Sequence, residues 1–587
     1  MSDSGGPGGT VSARLARRVS ETPEANAFLV ESEGGRWQGL SWGEFGRRVA
    51  RLRTALAAAG LKKGERIALI APVSLEWELL HHAALGLGAV VVGLDAHDLP
   101  ARVAEMVELA GISAFATADP RVLEALRPQR LAGAAFVLML GDPAPAGPPG
   151  VRCLDWNGLD ALAENAANDA PPPVATDLAT LIFTSGTTGA PKAIAYSHGQ
   201  LVLAIDAICD AFAFVGAEAR MLCWLPLSNL FQRVVNLAAL RQGASTYLLA
   251  DPRRVMEVVA TVAPDIFVGV PRFYEKLYDG IRANIAAQPP GRARLANWAW
   301  DVGRRASRRR LEGRPLPPGL RLAQGLAERL VLRKIRAILG NRLRCMVTGS
   351  APMPRLLLEE FYALGWIVLE AYGLSEDVMP MAMNRLDDFR FGTVGRPMPG
   401  NEVVIAADGT VKVRGPGLFA GYWADPGPPP FDAEGYYATG DLGRFDDEGY
   451  LSLTGRSGEM IKTSTGRRIA PAGIEAQLRG VAGLDQVLLV GNGRKALIAL
   501  CTLAAPFPDA GARERFERDL RERVARLGEH ARPAAIGLLE RPFSIERGEL
   551  TPNLKLRRAA IEQQHAALID SIYDRVGGTA AGRLLIV

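Results

Sequence analysis

From Leu181 to His198 the chain reads LIFTSGTTGAPKAIAYSH, and its middle is built from residues suited to phosphate. Gly186 and Gly189 let the backbone take φ > 0 and turn successive N–H groups toward one point. Such a nest binds anions, and Thr184, Ser185, Thr187 and Thr188 add hydroxyl donors without bulk. Lys192 supplies a point charge suited to phosphate. Leu181, Ile182 and Phe183 read as the end of the buried strand that delivers the loop. The pattern is a triphosphate cradle. It is not a Walker loop, because Ala190 and Pro191 separate Gly189 from Lys192, and no strand-borne G-x-G-x-x-G opens a helix.

Later stretches add carboxylates and cations at wide separation: Val347-Thr-Gly349-Ser-Ala351-Pro352-Met353, Tyr372-Gly373-Leu-Ser375-Glu376, Tyr437-Ala-Thr-Gly-Asp441, Gly455-Arg456-Ser-Gly458-Glu-Met-Ile-Lys462 and Leu550-Thr-Pro-Asn-Leu-Lys555. With the 184–192 loop, and in this order, they resemble the signature motifs of the adenylate-forming (AMP-binding) superfamily, which includes acyl-CoA synthetases, luciferases and peptide-synthetase adenylation domains. The resemblance implies a role for each stretch. Thr184–Gly189 and Lys192 would hold the phosphates of ATP. Gly349, Ala351 and Pro352 would pack adenine together with Tyr372 and Gly373. Glu376, with Thr184, would carry Mg²⁺, an ion that takes oxygen ligands and is usually held by one or two carboxylates plus phosphates. Ser375 stands where threonine is usual and keeps the hydroxyl. Asp441 would accept both ribose hydroxyls, since a carboxylate can receive two O–H donors. Arg456 would meet ribose or phosphates. Lys462–Arg468 would face the approach of the CoA thiol, and Lys555 would be the catalytic lysine, with Glu376 and Lys192 as its partners in the chemistry.

Within the superfamily the chain most resembles long-chain fatty acyl-CoA synthetases: LPLSNLFQR at 225–233, VPRFYEKLYDGI from Val270, and QVLLVGNGRKALIALC at 486–501 carry that likeness. It implies ATP-dependent activation of a carboxylic acid to an acyl-adenylate, then thioester formation with CoA. Asn229, Leu230 and Phe231 would line the acyl pocket, with Asn229 in place of the usual histidine. Gly458 departs from the Asp or Lys that usually forms the hinge pivot, and glycine tolerates any pivot torsion. An acyl-AMP ligase that loads an acyl carrier protein is the nearest alternative, and a non-catalytic membrane-associated scaffold a more distant one.

The elements that must position these residues alternate between strand and helix. Ser41-Trp-Gly-Glu44 forms a capping box, and the helix after it carries Phe45, Val49, Leu52 and Leu56 on one face. Strands follow at 66–71, 89–94, 114–118 and 135–140, with a helix at 75–87; the run Ala89–Leu94 has the β-branched character of a buried parallel strand. This is an α/β protein: a large N-terminal domain of doubly wound sheets, residues 13–455, with a small β subdomain near 390–455. A mobile α+β C-terminal lid domain, 456–587, follows, and residues 1–12 read as disordered. Residues 291–344 turn arginine-rich, with Trp298, Trp300 and leucines interleaved, as a helical insert with basic and apolar faces. Such faces suit either solvated helices or peripheral contact with an anionic membrane.

Bulk composition narrows the classes. The 587 residues allow about three or four packed units. A net charge of +5 on this length does not argue for nucleic acid. Five scattered cysteines without a C-x-x-C pair fit a reducing compartment, and six histidines without H-E-x-x-H or a Cys/His cluster argue against a protein-bound zinc. The polar, Gly-rich start lacks an apolar h-region, and the longest apolar run, Ala83–Leu94, is too short to span a bilayer. The expected setting is cytoplasmic, or peripheral to the inner face of the membrane.

Overall fold

The structure is a computed structural model. It describes residues 9–32, 34–95, 98–124, 126, 131, 133–141, 151–164, 166, 170–184, 191–425, 427–550, 555–577 and 585–586. Two large sheets organise the N-terminal part. One has seven strands in the order Cys153–Leu154, Phe136–Met139, Ala114–Thr117, Arg66–Ile70, Val90–Gly93, Leu178–Phe183, Ala193–Ser197. All neighbours are parallel except the last pair, which forms a hairpin. The other has nine strands, with parallel strands Val368–Tyr372, Cys345–Thr348, Ile266–Gly269, Arg220–Cys223 and Ser245–Leu248 side by side at its centre.

Between them lies the main apolar core, supplied by helices such as Trp42–Ala58, Leu75–Leu87, His198–Ala211 and Leu230–Gln242. Phe45, Val49, Leu52 and Leu56 are buried on one helix face, as their spacing predicts. Val90–Gly93 is buried throughout, as expected of a strand covered on both sides. The capping box at Ser41 forms only by half. The Ser41 hydroxyl accepts the Glu44 N–H at 3.3 Å, while the Glu44 carboxylate turns to Arg47 and Arg48, because nearby guanidinium groups outcompete a lone backbone N–H. A reciprocal box is built instead at Ser197 and Gln200, and it starts the helix at His198.

A polar layer crosses this core. Glu78, His81 and His82 share one helix face, are fully buried, and hold their ligand atoms within 4.8 Å of one another. Their i, i+3, i+4 spacing is present in the sequence, although it is neither H-E-x-x-H nor a Cys/His cluster. Asn236 donates to Glu78 at 2.7 Å, and Gln232 donates to Asn236 at 2.9 Å. Arg233, 1% exposed, donates to the Thr180 hydroxyl at 2.8 Å.

Beyond the large sheets, Glu402–Ile405, Thr410–Arg414, Tyr437–Phe445 and Leu451–Arg456 form a four-stranded antiparallel sheet, the expected small β unit. After Arg456 a separate core gathers on Leu484–Val490, Leu497–Leu503 and Pro533–Leu539, covered by helices Pro471–Arg479 and Ala510–Ala525. The arginine-rich stretch is helical: Pro290–Leu311, Pro318–Ala327, a wide π turn at Glu328–Leu332, and Arg333–Arg336. Trp300 is buried and Trp298 partly so. Among the described residues no helix is long and apolar enough to cross a membrane.

Candidate active site

The phosphate-type stretch joins two paired antiparallel strands. Leu178–Phe183 and Ala193–Ser197 pair up to Phe183 opposite Ala193, and the Thr184 N–H closes the loop on the Lys192 carbonyl at 2.9 Å. Ser185, Gly186, Thr187, Thr188 and Gly189 lie outside the described residues. Lys192 is exposed, and its Nζ stands 4.4 Å above the ring of Tyr422.

Two further segments leave the C-terminal ends of neighbouring parallel strands, the position where open α/β sheets bind ligands. Cys345–Thr348 runs into Gly349, Ser350, Ala351 and Pro352; Val368–Tyr372 runs into Gly373, Ser375 and Glu376. Gly349 passes so close to the next strand that a Cβ would stand 3.2 Å from the Ala371 carbonyl, and Ser350 takes φ +70° to make the turn. Glu370, almost fully buried beneath this turn, accepts the Met353 N–H at 3.3 Å. Burial raises its carboxyl to about 7. Asp377 is likewise pushed up to about 7 by burial, despite bonds from the Met379 N–H and Asn401.

Around Glu376 stands a set of tyrosines whose meeting the sequence does not show: Tyr196 and Tyr437 from motif stretches and Tyr422 from outside them. The Tyr422 hydroxyl donates to Glu376 Oε1 at 2.9 Å and lies 3.3 Å from the Tyr437 hydroxyl. The Tyr196 hydroxyl donates to the Ser375 carbonyl at 2.6 Å. Ile194 and Tyr422 form an isolated antiparallel bridge. One side chain, Tyr422, thus ties the loop's lysine to the carboxylate expected to carry Mg²⁺. Burial and the neighbouring Tyr437 and Glu376 push its hydroxyl far above the usual phenol range, so it stays a donor.

Asp441 and Arg456 face each other as cross-strand partners. Asp441 is buried; Arg456 Nε donates to its Oδ1 at 2.7 Å and the Tyr372 hydroxyl to its Oδ2 at 2.7 Å. Each carboxylate oxygen has a second lone pair, so both can still receive a diol. Lys555 comes from the C-terminal unit to this same point. It is half-buried, and its ammonium feels the charges of Arg456, Glu459 and Asp441. Burial first, then Arg456, lowers its proton affinity, while Glu459 and Asp441 oppose that. Arg272 of the large unit and Asp485 of the C-terminal unit form an ion pair across the same boundary.

The structure therefore brings together Lys192, Ser375, Glu376, Tyr372, Asp441, Arg456 and Lys555. Lys462 stands elsewhere, exposed on the ribbon Ile461–Lys462 with Arg468–Ile469, its N–H donating to Asn492. Asn229 has a structural duty that explains its identity: it is the N-cap of Leu230–Gln242, accepting the Phe231 N–H at 3.0 Å. Leu230 and Phe231 pack partly buried against the main core.

A family model described as AMP-binding enzyme matches residues 15–423, and one described as AMP-binding enzyme C-terminal domain matches residues 458–577. The chain is 30% identical over 579 residues to long-chain-fatty-acid–CoA ligase FadD15 of Mycobacterium bovis, covering 92% of this chain and 93% of that protein. It is 29% identical over 474 residues to human long-chain-fatty-acid–CoA ligase 1, covering 73% of this chain and 65% of the relative. Among solved structures, the adenylation domain of a carboxylate reductase from Mycobacterium chelonae superposes with a TM-score of 0.76 at 20% identity, over 96% of this chain and 91% of that one. At that identity the likeness is one of fold.

Proposed function

The chain belongs to the AMP-binding enzyme family, and on that premise we propose that it is an acid–thiol ligase, joining a fatty carboxylic acid to CoA through an acyl-adenylate. The observation that carries the reading is the convergence of Lys555 with Asp441 and Arg456, beside the Glu376–Tyr422–Lys192 group. In the first half-reaction a carboxylate oxygen attacks the α-phosphorus of ATP, and the bond to the bridging oxygen of pyrophosphate breaks. Two anions must meet, so catalysis is positioning and charge neutralisation. Lys192 and the hydroxyl loop hold the leaving phosphates. Asp441 fixes the ribose, Tyr372 and the Gly349–Pro352 turn flank adenine, and Lys555 neutralises charge at the reacting oxygens. The Glu376 carboxylate, oriented by Tyr422, is a hard oxygen donor that fits Mg²⁺, which when bound would lower the charge on the phosphates. In the second half-reaction the CoA sulfur attacks the acyl carbon, the C–O bond to AMP breaks, and the thiol proton passes to solvent. Rotation of the C-terminal unit about Gly458 would withdraw Lys555 between the two steps. We place the enzyme in the cytoplasm, with the 291–344 helices at the inner face of a membrane that supplies its acid.

Purified protein with ATP, Mg²⁺ and a panel of short- to long-chain fatty and aryl acids, with and without CoA, tests this. Pyrophosphate release together with CoA-dependent thioester is the expected result. Acyl-adenylate that accumulates and ignores CoA would point to a carrier protein as acceptor. Lys555→Ala should slow adenylate formation by about a hundred- to a thousandfold, on the scale of losing one charge-stabilising donor. It should spare thioester formation from supplied acyl-adenylate. Equal loss in both half-reactions would remove Lys555 from its assigned role.

A further inference from the structure

Most of the exposed large apolar side chains among the described residues fall between Leu295 and Leu356. Three of them form a line: Leu322, Leu326 and Leu330 are 78%, 51% and 38% exposed at successive fourth positions of one continuous helical run. In an α-helix such a line drifts by about 40° per step. The π turn at Glu328–Leu332, wider than an α turn, works against that drift as the helix reaches Leu330.

The remaining exposed positions of this face are Arg321, Gly325, Arg329, Arg333 and Lys334. Its nearest acidic residue, Glu328, is half-buried and paired with Arg336. The outer face from Arg321 to Lys334, about 20 Å long, thus carries leucines and cations around Gly325, with Glu328, its single acid, paired to Arg336. We propose that it is a docking surface for an anionic bilayer, with the three leucines entering the acyl–headgroup boundary and the cations meeting lipid phosphates. Charge decides against a second copy as the occupant. A two-fold contact would set this face on itself, bringing Arg321, Arg329, Arg333 and Lys334 against the same set of cations on the second copy.

The helices behind the face connect it to the nucleotide turn. Pro290–Leu311 packs on Arg355–Ala363 through Arg304 to Glu360 at 2.9 Å and Ser307 to the Tyr362 carbonyl at 3.1 Å. Arg355–Ala363 begins directly after the Gly349–Met353 turn. The purpose of the surface rests on the fatty-acid reading, but its test does not.

Full-length protein should sediment with phosphatidylcholine vesicles containing phosphatidylglycerol and remain in solution with phosphatidylcholine alone, and binding should weaken as salt rises. Replacing Leu322, Leu326 and Leu330 together by Ser should reduce partitioning by about a hundredfold or more. Arg329→Gln and Arg333→Gln should each cost about fivefold. Adenylate formation from a short, soluble acid should not change in any of them. Failure of the wild type to bind anionic vesicles, or undiminished binding by the triple variant, would overturn the proposal. So would a change from oligomer to monomer in the triple variant, which would make the face a subunit contact.

Discussion

Tyr422→Phe removes one hydroxyl and leaves the ring on which Lys192 rests. The lost bond runs to Glu376 Oε1 at 2.9 Å, in a half-buried setting. Hydrogen bonds to charged groups contribute about 1.5–3 kcal/mol net, which is roughly a tenfold to a hundredfold change in rate if the carboxylate must be held for the transition state. The loss should fall on kcat/KM for ATP and raise the Mg²⁺ concentration needed for half-maximal rate. Tyr422→Leu also removes the ring beneath the Lys192 ammonium, at 4.4 Å. It should cost a further 0.5–2 kcal/mol or so, the range of a cation–π contact. In a Lys192→Ala background that extra cost should disappear, so that Phe and Leu at 422 behave alike. Steady-state pyrophosphate release across Mg²⁺ and ATP concentrations measures these variants and their two parents, with Tm as a check on folding. Unchanged kcat/KM and unchanged Mg²⁺ dependence in a folded Tyr422→Phe would refute the idea that this tyrosine orients Glu376.

Glu370 gives a pH-dependent test. Burial raises its pKa from 4.5 to about 7, so its neutral form stabilises the fold fully below 4.5, and that contribution is lost as pH rises through 7. Glu370→Gln should therefore gain on wild type by about 2–3 kcal/mol between pH 5 and pH 8, from denaturant unfolding at each pH; a constant difference would show that Glu370 is not neutral in the fold. Asn229→Ala should lower stability by about 0.5–2 kcal/mol through loss of the helix cap, whereas Asn229→Ser should keep stability. If the serine variant nonetheless changes which acid is activated, position 229 also meets the acyl chain; if Asn229→Ala leaves Tm unmoved, the cap is not what holds this residue.

Much of the site was legible because its residues sit in short contiguous runs whose order along the chain is itself informative. Tyr372, Glu376, Asp441, Arg456 and Lys555 belong to such runs, and the fold brings them to one place. Tyr422, Tyr437 and Tyr196 were not legible as a group. Tyr196 and Tyr437 lie within motif stretches but Tyr422 in none, and no spacing in the sequence foretells the pairing of Ile194 with Tyr422 or the bonds of these hydroxyls to Glu376 and Ser375. Asn229 was read for what it lacks, an imidazole, when its local work is to cap a helix. The Glu78–His81–His82 spacing is local and readable on the helix, whereas its partners Asn236 and Gln232 are not, because they come from a helix more than 150 residues away in sequence, as the 158-residue span of the Asn236–Glu78 bond shows. Element types were largely readable from periodicity; which polar atoms meet across elements was not.

The turn Ser457–Glu459 bears on how the enzyme would keep its two steps in order. A Cβ placed on Gly458 would meet nothing within 4 Å, so no side chain there resists turning in either direction. What favours the present arrangement must lie outside the pivot, and the Arg272–Asp485 pair, partly solvent-exposed, is worth no more than about 1 kcal/mol. That shifts a two-way equilibrium by about fivefold. The Lys555 ammonium adds to it through Asp441 across the same boundary, against the like charge of Arg456. Sequence in time would come from occupancy: ATP and acid bind where Lys555 is needed and favour the present arrangement, and departing pyrophosphate removes that bias.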